Sequence, residues 1–200
     1  MSQADPRSRI VVGAADLIRR RGLAGSTVRD LATHSGAPLG STYHYFPRGK
    51  QQLAAEAVHF AGDLVSGVLR RELAAGPVAG LRAFLGLWRQ TVLDSDFRAG
   101  CPVLAVSVEE PPADAAPEAL DAAAEMFTAW EKLLSDSLRE HGADFAVAAQ
   151  MATLIVAAVE GTVAMCRAQR DITALDHVAV QLEQLIQTAT DPVRRKGPAA

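Results

Sequence analysis

Apolar positions recur at the three-to-four-residue spacing of helices along nearly the whole chain, and alternating, strand-like runs are scarce. Asp5-Pro6 offers an N-cap followed by a helix-compatible proline. Ile10, Ala14, Leu17 and Ile18 then form one stripe, which Gly22 ends after the run Arg19, Arg20, Arg21. Thr27 and Asp30 read as a capping box, with Asp in place of the usual Glu or Gln, opening a short second helix that stops near Gly36. A third helix is predicted from about residue 38 to 45 and a fourth from about 50 to 74. Pro77 starts a fifth, carrying Leu81, Phe84, Leu85 and Trp88 and ending before Asp96. The stretch GCPVLAVSVEEPPADAAP reads as a short apolar helix and a proline-rich loop. Two long helices (about 117–141 and 143–170) and a last one (about 174–190) complete an all-α chain of about nine helices. The organisation predicted is a three-helix head over residues 1–48, a larger bundle over 49–190 and a disordered tail over 191–200.

Composition supports a globular chain, with 49% hydrophobic and 22% charged residues. The net charge of −3 conceals an asymmetry: residues 1–50 carry eight Lys/Arg against three Asp, a net +5, which leaves −8 for the remainder. A basic head on an acidic body suggests that the head meets a polyanion. Cys101 and Cys166 lie far apart and lack metal-ligand spacing, so a reducing, cytoplasmic compartment fits, with no cofactor or metal. The first ten residues lack the apolar core of a signal peptide. The longest uncharged apolar run, residues 145–159, stops at Glu160 and is too short to span a bilayer, so no membrane association is expected.

Two short helices around a glycine-containing turn, VRDLATHS and PLGSTYHY, describe a helix-turn-helix. In such a motif the second helix enters the DNA major groove while the first crosses the backbone. The candidate contacts are Thr27, which also caps the first helix, Arg29 in its first turn, which could equally be a solvated helix partner, Pro38, Leu39, Gly40, Ser41, Thr42, Tyr43 and His44 on the second helix, and Lys50 beyond it. Gly40 lets a helix approach the sugar-phosphate wall. The hydroxyls and rings suit phosphates and base edges, and Lys50 falls at a helix start that already favours a phosphate. Tyr45 and Phe46 are expected to pin the second helix against Leu17, Leu31 and the fourth helix, whereas His34 and His59 read as helix-surface residues.

TVRDLATHSGAPLGSTYHYFPRGKQQL resembles the DNA-binding signature of the TetR family of transcriptional regulators, carried by Thr27, Leu31, Ala32, Gly36, Gly40, Ser41, Tyr43, Tyr45, Phe46 and Lys50. Three departures stand out. Pro38 replaces a polar N-cap, Leu39 falls at a position often basic, and FPRGK is one residue longer than the usual spacing. That spacing, with GCPVLAVSVE, Trp130 and VEGTVAMCRAQRD, resembles the LmrA/YxaF-like branch. The resemblance implies a DNA-binding head, a regulatory bundle and a homodimer in which the last two long helices of each subunit pair. It further implies a repressor that leaves a near-palindromic duplex operator when a small, mostly apolar or aromatic effector binds. A ligand-independent regulator or an activator is the alternative, and no catalytic constellation suggests an enzyme.

For the effector, the candidates are Phe84, Trp88, Met126, Phe127, Trp130, Met151 and Glu160, each with plain core packing as the competing reading. Glu160 interrupts an apolar helix, where a buried carboxylate is costly; ligand contact, pairing with Arg167 and a place at the dimer surface are its three readings. Ala157, Gly161 and Ala164 form a small-residue strip that permits close helix approach, and Val178, Leu182 and Leu185 belong to a stripe on the last helix. Both are candidates for the dimer interface.

Overall fold

The computed structural model describes residues 5–110 and 116–191, among which the chain forms nine helices and no strand. They are α1 (Pro6–Arg21), α2 (Val28–His34), α3 (Leu39–Tyr45), α4 (Lys50–Leu73), α5 (Pro77–Asp94), α6 (Pro102–Ser107), α7 (Glu118–Glu140), α8 (Phe145–Gln169) and α9 (Thr173–Thr190). The expected boundaries hold to within one or two residues, because proline, glycine and polar caps mark most of the ends. Asp5 caps α1 by accepting the Ser8 N–H, and glycines with positive φ follow α1 and α2 (Gly22 and Gly36). The tail expected to be disordered lies, from residue 192 onward, outside the described residues, as do residues 111–115 of the proline-rich loop.

The chain divides into two compact units, Met1–Leu64 with Arg98–Phe127 and Val65–Phe97 with Thr128–Ala200, so α4 and α7 each contribute to both. In the first unit α1 packs against α2, α3 and α6. Ile10, Ala14 and Ile18 of α1, Leu31 of α2 and Phe46 after α3 are all essentially buried. The α1–α2 approach is close: a Cβ on Gly13 would stand 2.3 Å from Ser35 Oγ and 2.7 Å from Ser35 Cα. In the second unit α5, α8 and α9 pack on one another around Leu81, Ile155, Val159 and Ile186. Arg82 donates two hydrogen bonds to Glu183 at 2.8 and 2.7 Å, and Arg89 pairs with Asp176, so α5 and α9 run antiparallel. Such exposed, solvent-screened pairs set register more than they stabilise.

The helix expected over about 143–170 runs from Phe145 to Gln169, passing through Glu160. By length and composition alone it could cross a bilayer, with a mean hydropathy of 1.6 in its most apolar stretch. Among its buried positions Ala148, Ala152, Ile155, Val159, Val163 and Cys166 recur at three- and four-residue intervals, with Val156, Glu160 and Thr162 beside them, as in a core helix packed along one side.

A carboxylate joins α1 to α2. Asp16 accepts hydrogen bonds from Arg19 Nε (2.8 Å), Arg20 Nε (3.0 Å) and His34 Nε2 (2.7 Å), which places the imidazole proton on Nε2. His34, expected as a bland surface residue, is thus the tie between the two helices. Burial would raise the Asp16 pKa, but the hydrogen bonds from Arg20, His34 and Arg19 outweigh it and lower the value from 3.8 to about 2. A depressed carboxylate pKa stabilises the fold above its unfolded value, and that contribution is lost as pH falls from 3.8 through about 2. Asp16→Asn should therefore lower the urea midpoint at pH 7, and the gap from wild type should close as pH approaches 2. A gap of equal size at both pH values would contradict the assignment.

Candidate nucleic-acid interface

The first helix of the motif is held by the capping box. Thr27 Oγ1 accepts the Asp30 N–H at 3.1 Å, while Asp30 Oδ2 accepts the Thr27 N–H at 2.8 Å and its hydroxyl at 2.6 Å. Those bonds to Thr27 hold the Asp30 carboxyl below its ordinary value. The turn into α3 passes through Gly36 at φ 63, a left-handed conformation that suits glycine, and Ala37 N–H donates to Ala32 O at 2.9 Å. Pro38 N-caps α3 without any side-chain hydrogen bond. On α3 the structure divides the expected contacts. Pro38, Gly40, Tyr43 (51% exposed) and His44 face outward, with Leu39 and Ser41 half-buried. Thr42 is a correction: it is 0% exposed and its hydroxyl donates to Pro38 O at 3.3 Å, so it faces the core and cannot reach a ligand. Tyr45 is half-buried with its ring edge-on to His44, and Phe46 is buried with the Arg7 guanidinium 5.3 Å from its ring centre. Thr27 and Arg29 are exposed on α2.

The longer FPRGK turn has a structural use. Arg48 Nε and Nη2 each donate to Glu118 at 3.0 Å, which ties the turn before α4 to the start of α7. That pair raises the Arg48 pKa and lowers that of Glu118, in both cases chiefly through its hydrogen bonds. The basic head is therefore less basic than its composition. Arg7 pairs with Glu56, Arg19 and Arg20 with Asp16, and Arg48 with Glu118, whereas Arg9, Arg21, Arg29 and Lys50 stand outside these ion pairs. Lys50 is the first residue of α4, half-buried and bordering a cavity of about 220 Å³.

The effector candidates fall into two groups. Phe84, Trp88 and Trp130 form one aromatic cluster, with Phe84 edge-on to Trp88 (centroids 6.3 Å apart) and to Trp130 (5.8 Å). All three are buried, and the Trp88 Nε1–H has no hydrogen-bond partner among the described residues. Met151 (half-buried) and Glu160 (2% exposed) belong to the same unit. Met126 and Phe127 belong to the other unit, and Met126 packs against Gly62, where a Cβ would stand 2.3 Å from its sulfur. Of the dimer candidates, Ala157, Gly161 and Ala164 are exposed along one side of α8, beside exposed Leu154 and Met165. On α9 Val178 is half-buried and Leu185 is 41% exposed. Leu182 is a second correction, being only 3% exposed and buried by its own chain.

Comparison with known proteins agrees with this geometry. A model of tetR-family bacterial regulatory proteins matches residues 10–57, and one of the C-terminal domain of LmrA/YxaF-like transcriptional regulators matches residues 77–181. The chain is 41% identical over 184 residues to an HTH-type transcriptional regulator of Mycobacterium tuberculosis, covering 90% of this chain and 94% of that one. The chain belongs to the TetR family. The HTH-type transcriptional regulator LmrA of Bacillus subtilis is 29% identical, covering 94% of this chain and all of that one. A crystal structure of a TetR transcriptional regulator from Legionella pneumophila superposes with a TM-score of 0.81 at 20% identity, over 92% of this chain and 98% of that one, a likeness of fold.

This TetR-family protein is a DNA-binding transcriptional regulator. Several residues that hold the first unit together left no mark in the pattern of residues: the Asp16–His34 tie, the Arg48–Glu118 pair, a His59–Glu125 contact at 2.9 Å, and Glu109, whose carboxylate accepts the Leu23 N–H. Each joins residues from 18 to 86 positions apart, beyond the reach of any local motif. Gly40 can be isolated from such structural duties, since a Cβ there would meet nothing within 4 Å. Gly40→Ala should stabilise the DNA-free protein by about 0.4–1 kcal/mol, because the alanine has fewer unfolded conformations to lose. A loss of stability in thermal melts would show that the glycine serves the fold.

Proposed function

We propose that this regulator is a homodimeric, cytoplasmic, non-enzymatic repressor that binds a near-palindromic operator and leaves it when a small, mostly apolar effector binds. The observation that carries the DNA-facing part is the outward side of α3. There Gly40 adds no side chain, Tyr43 and His44 are exposed, and Lys50 follows at the start of a long helix whose free N–H groups favour a phosphate. Residues 1–48 form the DNA-binding domain and 49–190 the regulatory and dimerising one. Twofold pairing through the exposed small-residue side of α8 and through Leu185 of α9 presents two α3 helices to half-sites about 34 Å apart, one turn of duplex. The aromatic cluster of Phe84, Trp88 and Trp130 is the natural site for a flat, apolar effector, since the Trp88 N–H lacks an acceptor among the described residues. Release requires the effector to prefer the DNA-incompetent state, and a hundredfold preference supplies about 2.7 kcal/mol.

A ligand-independent regulator is the second reading, favoured by the edge-on packing of those rings, which also describes an ordinary core. Gel shifts on duplex from immediately upstream of the protein's own gene, repeated with a panel of apolar aromatic compounds, separate the two. Release by some of the panel supports the first reading, and indifference to all of it supports the second. In the same assay Lys50→Ala should weaken binding to specific and random duplex alike. It should reduce the slope of log affinity against log salt by about two per dimer, one phosphate per subunit. An unchanged slope would remove Lys50 from the phosphate contacts.

A further inference from the structure

We propose that Glu109, just beyond α6 and far from the motif in sequence, is a positioning residue for DNA binding: its carboxylate clamps the corner between α1 and α2. After α1 ends, the Gly22 N–H still reaches Ile18 O at 2.8 Å, but the next two amides have passed the helix. Both turn to Glu109. Leu23 N–H donates to Oε1 at 2.8 Å and Ala24 N–H to Oε2 at 2.6 Å. Two consecutive amides on one carboxylate form a small anion nest with charge-assisted bonds. Gly22 is shaped to it: at φ 77 it takes a conformation L-residues rarely adopt, and a Cβ there would stand 2.2 Å from Glu109 Oε1. The grip extends along α1, because Gly100 N–H donates to Arg19 O at 3.0 Å, so residues flanking α6 hold the end of α1 from both sides.

The corner leads directly into the motif. Ser26 N–H donates to Leu23 O at 3.0 Å and Ser26 Oγ to Gly22 O at 3.0 Å, and the next residue is Thr27, the cap of α2. Fixing Leu23 and Ala24 therefore fixes where α2 begins and, through its turn, where α3 points. Glu109 itself carries the wrong charge to touch a phosphate, so its effect on DNA runs through that corner. The clamp borders a cavity of about 220 Å³ that Leu23, Lys50, Gln51, Val106 and Leu120 help to line, so there is free space beside the carboxylate.

The last step rests on α3 as the DNA-reading element, so the test has two arms. In the first, amide exchange of the full-length, DNA-free protein is followed by NMR for wild type, Glu109→Ala and the isosteric Glu109→Gln. Leu23 and Ala24 should exchange about tenfold faster or more in the Ala variant and less so in the Gln variant, whose amide oxygen still accepts one N–H, while Leu17 and Ile18 keep their protection. Unchanged exchange at Leu23 and Ala24, or faster exchange along all of α1, overturns the clamp. In the second arm, affinity for the upstream duplex is measured against salt. Loss of the clamp lowers the fraction of competent heads, so affinity should fall about tenfold while the salt slope stays that of wild type, the phosphates contacted being the same. Undiminished affinity, or a slope that falls with it, overturns the positioning role. If Glu109→Ala does not fold, Glu109→Gln carries both arms. If wild type ignores the duplex, the DNA reading fails while the exchange arm still decides the clamp.

Discussion

Two helices of seven residues each cannot sustain themselves in water, because a single turn of nucleation costs more than so few hydrogen bonds return. Everything else in the head follows from that constraint. α2 begins on a reciprocal cap between Thr27 and Asp30, which satisfies donors that so short a helix would otherwise leave to water. α3 has no such cap, since Pro38 provides none, and relies on packing instead: Thr42 is turned inward and Phe46 is buried just past its end. The pair is then fastened from outside, by Asp16 through His34 and by Glu109 through the corner that precedes α2. A helix pair made this way is rigid only as far as its neighbours hold it.

The same constraint explains where the head's charge goes. Four of its eight basic residues, Arg7, Arg19, Arg20 and Arg48, are occupied in holding elements together. Most of their partners are part-exposed, so each pair contributes little to stability by itself. Their value lies in geometry: the Arg48–Glu118 fork is bidentate and fixes a direction as well as a distance. The charge left for a polyanion is smaller than composition suggests, because Glu56 and Glu118, from outside the head, offset Arg7 and Arg48, while Asp16 offsets only one of Arg19 and Arg20. A count of basic residues thus overstates the electrostatic footprint of a small domain whose helices are too short to stand alone.

How much of this was legible in the sequence depends on the range of the interaction. Helix boundaries, the capping box and the inward place of Phe46 follow from neighbours within a few positions, and they could be read directly. Thr42 was misjudged because a hydroxyl at a groove-facing spacing looks the same whether it faces a ligand or bonds its own helix four residues back. Leu182 was misjudged for a related reason. It lies in a stripe broad enough to serve two surfaces, and the stripe alone does not say which residues the subunit keeps for its own core. Glu109 was beyond reach altogether. In a proline-rich neighbourhood a carboxylate is ordinary, and its partners are backbone amides, which no side-chain pattern announces.

That asymmetry bears on how regulators of this kind can diverge. A side chain that meets DNA is constrained by the duplex, whereas one that grips backbone amides is constrained only by distance and charge, because the amides persist whatever side chains occupy those positions. Leu23 and Ala24 can therefore change without loosening the clamp, provided the corner keeps its conformation, while Gly22 cannot readily change, since at φ 77 it holds a conformation that L side chains rarely adopt. On the proposed reading, recognition and positioning would be carried by different atoms: side chains on the exposed face of α3, and main chain at the corner that Glu109 holds.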